Sequence, residues 1–75
     1  MTASQLSFIL RARPFRPFLL RHAEGRETQV SNPEAMKYLE GPIASYTHPD
    51  GRVEIVDMRL ISSVRFLRGT TPWAR

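Results

Sequence analysis

The chain has no cysteine among its 75 residues, so neither a disulfide nor a thiolate metal site is open to it. Histidine occurs only twice, as His22 and His48, with no helical His-x-x-x-His or His-x-x-Glu pair, and no metal site is expected. Four glycines are too few and too scattered to build a phosphate-cradling loop. Ser62 and Ser63 have no neighbouring base to activate them. Catalysis is therefore not expected, and no cofactor is implied. No apolar stretch approaches the ~20 residues that span a bilayer. The amino terminus also lacks the apolar run and small-residue cleavage site of a signal peptide. The expectation is a soluble, cytoplasmic protein without a membrane partner.

What the chain has is arginine. Ten of its eleven cations are Arg, and the formal charge is +4. Arg binds phosphate and carboxylate with a planar fork that Lys lacks. Distribution matters more than the sum. Arg11, Arg13, Arg16, Arg21 and Arg26 face Glu24 alone between residues 11 and 26, and Arg59, Arg65, Arg68 and Arg75 meet no acid after Asp57. Both ends are basic, and the middle is acidic.

A chain this short buries about 60% of the surface it exposes when unfolded, and its stability scales to roughly 4 to 11 kcal/mol. One thin core is all it can build, which makes association of copies a natural way to stabilise it. A single domain over residues 1–68 is expected, followed by a flexible tail over 69–75 in which Trp73 is the one group able to dock.

Along the chain, "ASQLSFILRA" (3–12) reads as a short amphipathic helix, with Leu6, Ile9 and Leu10 at helical spacing and Ser4 as its cap. Pro14 ends it. In "RPFRPF" (13–18) each proline removes the preceding Arg from helix, so the segment is extended, a connector pinned by Phe15 and Phe18. Period-two alternation begins at Phe18 and places Phe18, Leu20 and His22 on one face. "AEGR" (23–26) reads as a hairpin turn, after which Thr28 and Val30 continue a second strand. "SNPEAMKYLEG" (31–41) suggests one or two helical turns, capped by Ser31 or Asn32 and ended by Gly41. Ile43 to Thr47, "RVEIVDM" (52–58) and "LISSVRFL" (60–67) are three further strands, with "HPDG" (48–51) a strong turn between the first two. Asp57 is placed to cap the turn after it through backbone N–H groups.

Helix followed by five short antiparallel strands is the element order of a mainly β domain with one N-terminal α-helix. A small five-stranded antiparallel barrel or strongly bent sheet of the Sm or SH3 kind is expected. Its expected core is Phe15, Phe18, Leu20, Val30, Ile55, Ile61 and Val64.

These segments also resemble a family of very short bacterial proteins without an assigned activity. The resemblance rests on "RPFRPF" (13–18), "EGR" (24–26) followed by Val30, "NPE" (32–34), "DGR" (50–52) and "IVDMRLISSV" (55–64). It implies the fold boundaries and brings no catalytic residues. Where that family has an aliphatic residue in the first strand this chain has His22, which suggests a partly solvated place at a barrel rim. A second likeness, of architecture alone, is to the Sm-like RNA chaperones. The chain resembles them in element order but lacks a clear match to their RNA-contacting Gly and Asn residues, so the likeness implies ring assembly and RNA binding only as alternatives open to test.

The expected function is a non-catalytic binding or self-assembly module, most naturally a homo-oligomer. Val53, Ile55, Val56 and Met58 supply apolar side chains to both faces of the fourth strand, one of which an interface would cover. The alternative is weak, sequence-independent RNA or DNA binding through Arg21, Arg65 and Arg68, because the first and last strands pair when such a domain closes. The same surface would also suit an acidic protein partner.

Overall fold

The computed structural model describes residues 1–67; Arg68, Trp73 and the tail expected at 69–75 lie outside them. The helix, α1, spans Ala3–Arg11 and buries Leu6 and Leu10. Its cap is Thr2 rather than Ser4. Thr2 Oγ1 accepts from Gln5 N–H and Gln5 Oε1 accepts from Thr2 N–H, a reciprocal pair for which Thr and Gln stand at the required spacing. Ala12 leaves the helix in an extended conformation, but the segment expected to be extended bends at Arg13 and Pro14, which are joined by a cis peptide bond. Arg13 donates to the carbonyls of Leu10 and Ala12 at the helix end.

Six strands follow, not five: β1 (Phe18–His22), β2 (Glu27–Val30), β3 (Met36–Tyr38), β4 (Ile43–Thr47), β5 (Val53–Asp57) and β6 (Ile61–Phe66). The segment expected to be helical supplies the extra one. Asn32 caps a single 3-10 turn, Pro33–Ala35, and the chain then straightens because Met36 gains more by entering the core as a strand residue than by continuing the turn. The strands form two three-stranded antiparallel sheets, ordered β2-β1-β6 and β3-β4-β5, that are not closed into a barrel. The 3-10 turn carries the chain from the first sheet into the second. A second one, Met58–Leu60, carries it back, its first residues capped by Asp57, which accepts from Arg59 N–H.

Between the sheets and under α1 lies one core cluster: Leu6, Leu10, Phe18, Leu20, Val30, Met36, Ala44, Tyr46, Val56 and Met58. Of the expected core residues, Phe18, Leu20 and Val30 are fully buried, and Phe15, Ile61 and Val64 pack against the cluster from its margin. Ile55 does not. It is 51% exposed, because β5 turns Glu54 and Val56 inward and strand side chains alternate. His22 is corrected in the opposite direction, being 1% exposed instead of sitting at a solvated rim.

The buried Tyr46 ties the sheets together, its hydroxyl accepting from the N–H groups of Ser31 and Asn32 where the chain leaves β2. Phe18 opens β1 and meets Phe15 and Phe66 edge-on, at ring-centroid distances of 6.0 and 6.3 Å. The doubled Arg-Pro-Phe unit is thus a connector whose rings clamp the start of the first strand. Phe18→Ala is expected to cost about 3 to 5 kcal/mol, comparable with the whole stability of a chain this size, and Phe15→Ala clearly less because Phe15 is only half-buried. Urea melts of the two variants check this order; equal losses would contradict it.

Candidate functional site

Two hairpins of the same sequence pattern face each other across the gap between the sheets. His22-Ala23-Glu24-Gly25-Arg26 joins β1 to β2, and His48-Pro49-Asp50-Gly51-Arg52 joins β4 to β5. In each, the His N–H donates to the Arg carbonyl, at 2.8 and 2.7 Å, and the Gly N–H donates to the His carbonyl, at 2.8 and 2.9 Å. Gly25 and Gly51 take φ of 100° and 93°, which side chains rarely adopt, so glycine is required at both. The repeated turn sets one histidine on each side of Glu54.

Glu54 is the meeting point. Its Oε2 accepts from the Thr28 hydroxyl at 2.7 Å and from Arg26 Nη1, and its Oε1 accepts from His48 Nε2 at 2.7 Å. Thr28 and Arg26 belong to the first sheet and its hairpin, while His48 and Glu54 belong to the second. The donor count extends to His22. Thr28 spends its one hydroxyl proton on the carboxylate, so it accepts from His22 Nε2–H at 2.8 Å. Arg26 has only protons to offer, so His22 Nδ1 accepts from Arg26 Nη2 at 3.2 Å. His22 is thereby held neutral, with its proton on Nε2. Arg26 also reaches Glu24 at 3.3 Å. Every buried side-chain polar atom among the described residues has a partner.

The electrostatics agree with this accounting. Burial foremost, and then the Arg26 charge, hold the His22 pKa below its ordinary value, outweighing the carboxylates of Glu54 and Glu24. For Glu54, burial is the largest single influence and pushes the pKa up, but the hydrogen bonds from Thr28, His48 and Arg26 together outweigh it and leave it below the usual glutamate value. Arg26, His48 and Glu54 of the cluster line an open cleft of about 640 Å³ whose walls add Gln29, Ser31 and Arg52. Arg52 is held by Asp50. No group of three or more metal-ligating side chains that could hold an ion occurs among the described residues.

The residues expected to bind nucleic acid lie elsewhere. β1 and β6 pair, with Leu19 opposite Arg65 and Arg21 opposite Ser63, so Arg21 and Arg65 share the outward face of the first sheet. A bulge at Ser62, whose hydroxyl donates to the Arg21 carbonyl, precedes them. Arg21 is not free, however. It stands opposite Glu27 on β2 and pairs with it at 3.4 Å. Arg68 lies outside the described residues. The Glu54 cluster was not anticipated, although its signal is in the sequence: the repeated His-x-acid-Gly-Arg turn, and a Glu in phase with Val56 and Met58.

Comparison with protein-family models, with curated proteins and with solved structures found no match for this chain.

Acid should undo this cluster in two steps. His22 has a lowered pKa in the folded protein, so the unfolded chain takes up its proton first; this contribution is complete above about pH 6.5 and is lost as the pH falls below it. Glu54 likewise contributes above its ordinary value near 4.5, and loses that contribution as the pH falls through its lower folded value. Urea midpoints measured from pH 8 to pH 3 should decline first below about 6.5 and again below about 4.5. His22→Gln should remove the first decline and keep the second. A midpoint flat from pH 8 to pH 5 in the native sequence would show that His22 is not held neutral.

Proposed function

We propose that the chain is a non-catalytic self-assembly module whose copies associate through β5. Catalysis is disfavoured because the groups suited to acid–base work are saturated by one another: the Glu54 oxygens by three donors, and both His22 nitrogens by Thr28 and Arg26. Association is favoured by a comparison of the four sheet edges, β2, β6, β3 and β5.

An exposed edge presents unpaired backbone groups, and folded proteins guard it with short strands, charges, proline or bulges. β2 has four residues and turns Glu27 and Gln29 outward. β6 carries the bulge. β3 has three residues with Lys37 at its centre. β5 is the least guarded: five residues in unbroken register with β4, without Lys or Pro, its one outward charge, Asp57, standing at the strand end and held by Arg59, and Val53 and Ile55 turned outward at 62% and 51% exposure. That weakly guarded apolar edge is the observation that carries the proposal. A second copy suits it because pairing β5 with β5 in antiparallel fashion about Ile55 sets Ile55 against Ile55 and Val53 against Asp57, with no like charges opposed.

Sedimentation velocity at tens of micromolar should give a mass above that of one chain. Ile55→Lys, which places a charge in the middle of the edge, should return it to one chain without lowering the thermal midpoint measured under dilute conditions. A concentration-independent monomer in the native sequence would remove the proposal.

A further inference from the structure

All seven carboxylates of the chain lie between residues 24 and 57. The fold packs together what lies on either side of them. β1 pairs with β6, Leu67 N–H donates to the Pro17 carbonyl, and Phe66 reaches Phe18. The start of β1, the connector from α1 and the end of β6 thus meet at one end of the first sheet, with no acidic residue in any of them.

The ion pairs sharpen this contrast. Arg21, Arg26, Arg52 and Arg59 each hold a carboxylate. Arg11, Arg13, Arg16 and Arg65 are exposed, and none of them has an ion-pair partner among the described residues. Two of them are held nonetheless, Arg13 by the carbonyls of Leu10 and Ala12 and Arg16 by a ring. The Arg16 guanidinium lies over the Phe66 ring, 4.4 Å from its centre, and Phe66 is 37% exposed although its strand partner Phe18 is fully buried. A guanidinium stacked on a ring is fixed in orientation while its N–H edge stays available to an anion.

We propose that this end of the first sheet binds single-stranded nucleic acid, with Arg16 stacked on the Phe66 ring at one face and Arg65, the preceding strand residue, at the other, so that the strand passes over the end between them. The reading is independent of self-assembly, since β5 belongs to the other sheet. Unpaired guanidinium groups take the phosphates, and the Arg16–Phe66 stack offers a flat surface to an unpaired base. A duplex hides its base faces and would use the charges alone. An acidic protein would likewise have no need of the ring. No side chain here is placed to read base edges by paired hydrogen bonds, so binding tolerates any sequence.

The test is fluorescence anisotropy with a labelled 20-nucleotide single-stranded RNA and its duplex between 20 and 200 mM NaCl. Circular dichroism melts confirm that each variant folds. Single strands should bind more tightly than the duplex. Arg16→Gln and Arg65→Gln should each weaken binding about eightfold at 50 mM salt and reduce the salt slope by about 0.7, the contribution of one phosphate contact. Arg52→Gln, at an arginine already held by Asp50, should change affinity less than twofold. Phe66→Leu keeps the charge and removes the ring, and should weaken the single strand about fivefold or more while leaving the duplex unaffected. The proposal is overturned by absence of binding at 20 mM salt, by duplex binding as tight as single-strand binding, or by full affinity in the Arg16→Gln, Arg65→Gln double variant. It is equally overturned if a glutamate homopolymer of matched charge displaces the RNA as effectively as unlabelled RNA does, which would mark the surface as a dock for acidic protein.

Discussion

A carboxylate withdrawn from bulk water between two sheets has to receive hydrogens from both, and much of this fold follows from that requirement at Glu54. Three donors reach it, two from the first sheet and its hairpin and one from the end of β4. Leaving any one oxygen unfilled would cost more than the bond itself is worth, because the desolvated lone pair has nothing in exchange. The two sheets share no strand, so this polar seam and the Tyr46 hydroxyl supply much of the direction in their packing, where apolar contact alone would allow sliding. The inward turn of Glu54 also decides the outer surface. Once it faces the seam, alternation sends Val53 and Ile55 to solvent, and the weakly guarded edge of β5 is a consequence of the same choice.

The two hairpins supply the seam symmetrically in backbone and asymmetrically in chemistry. Both use a glycine in the left-handed region to bring His and Arg back into register, and in both the Arg reaches the acid two residues before it. They differ in what the histidine does next. His48 donates directly to the carboxylate, whereas His22 stands one step back behind Thr28, with Arg26 against its other nitrogen. A cation on one side and a hydroxyl that has already given its proton on the other leave no room for a second proton on His22. The same turn therefore yields a histidine bonded directly to the carboxylate in one hairpin and a neutral one, a step removed from it, in the other.

This explains which features were legible in the sequence. Turns with Gly, the proline stop after α1, and the Asp57 cap are local, and each was readable from a few adjacent residues. Pairing of the first and last strands followed from the element order. Illegible were the features decided by a partner distant in sequence. Four apolar residues within 53–58 gave β5 no preferred phase, and Thr28 and Arg26, brought up by the other hairpin, together with His48 of its own, settle that Glu54 and not Ile55 faces inward. His22 read as a rim residue because an isolated histidine in a strand is expensive to bury; Thr28 and Arg26 remove that expense. Residues 36–38 carried helix-compatible side chains and capping signals, yet Met36 is drawn into the core opposite Tyr46 as a strand.

Charge segregation follows from the same economy of partners. Five of the seven side-chain carboxylates are engaged in caps, hairpin pairs or the seam, all with arginines: Glu24, Glu27, Asp50, Glu54 and Asp57. With acids committed to holding the hairpins and the seam, the paired strands β1 and β6 meet at an end that has arginine and phenylalanine but no carboxylate among the described residues to neutralise the charge. Such an end repels its own charges and lowers the stability of a domain that has little to spare. An anionic partner relieves that repulsion and so binds with a favourable contribution that exists before any specific contact is made. Association through β5 would use the other sheet, so a dimer paired about Ile55 would present this end twice. Sites that are individually weak then hold a continuous polyanion by effective concentration, which a single small domain with one such end is unable to do.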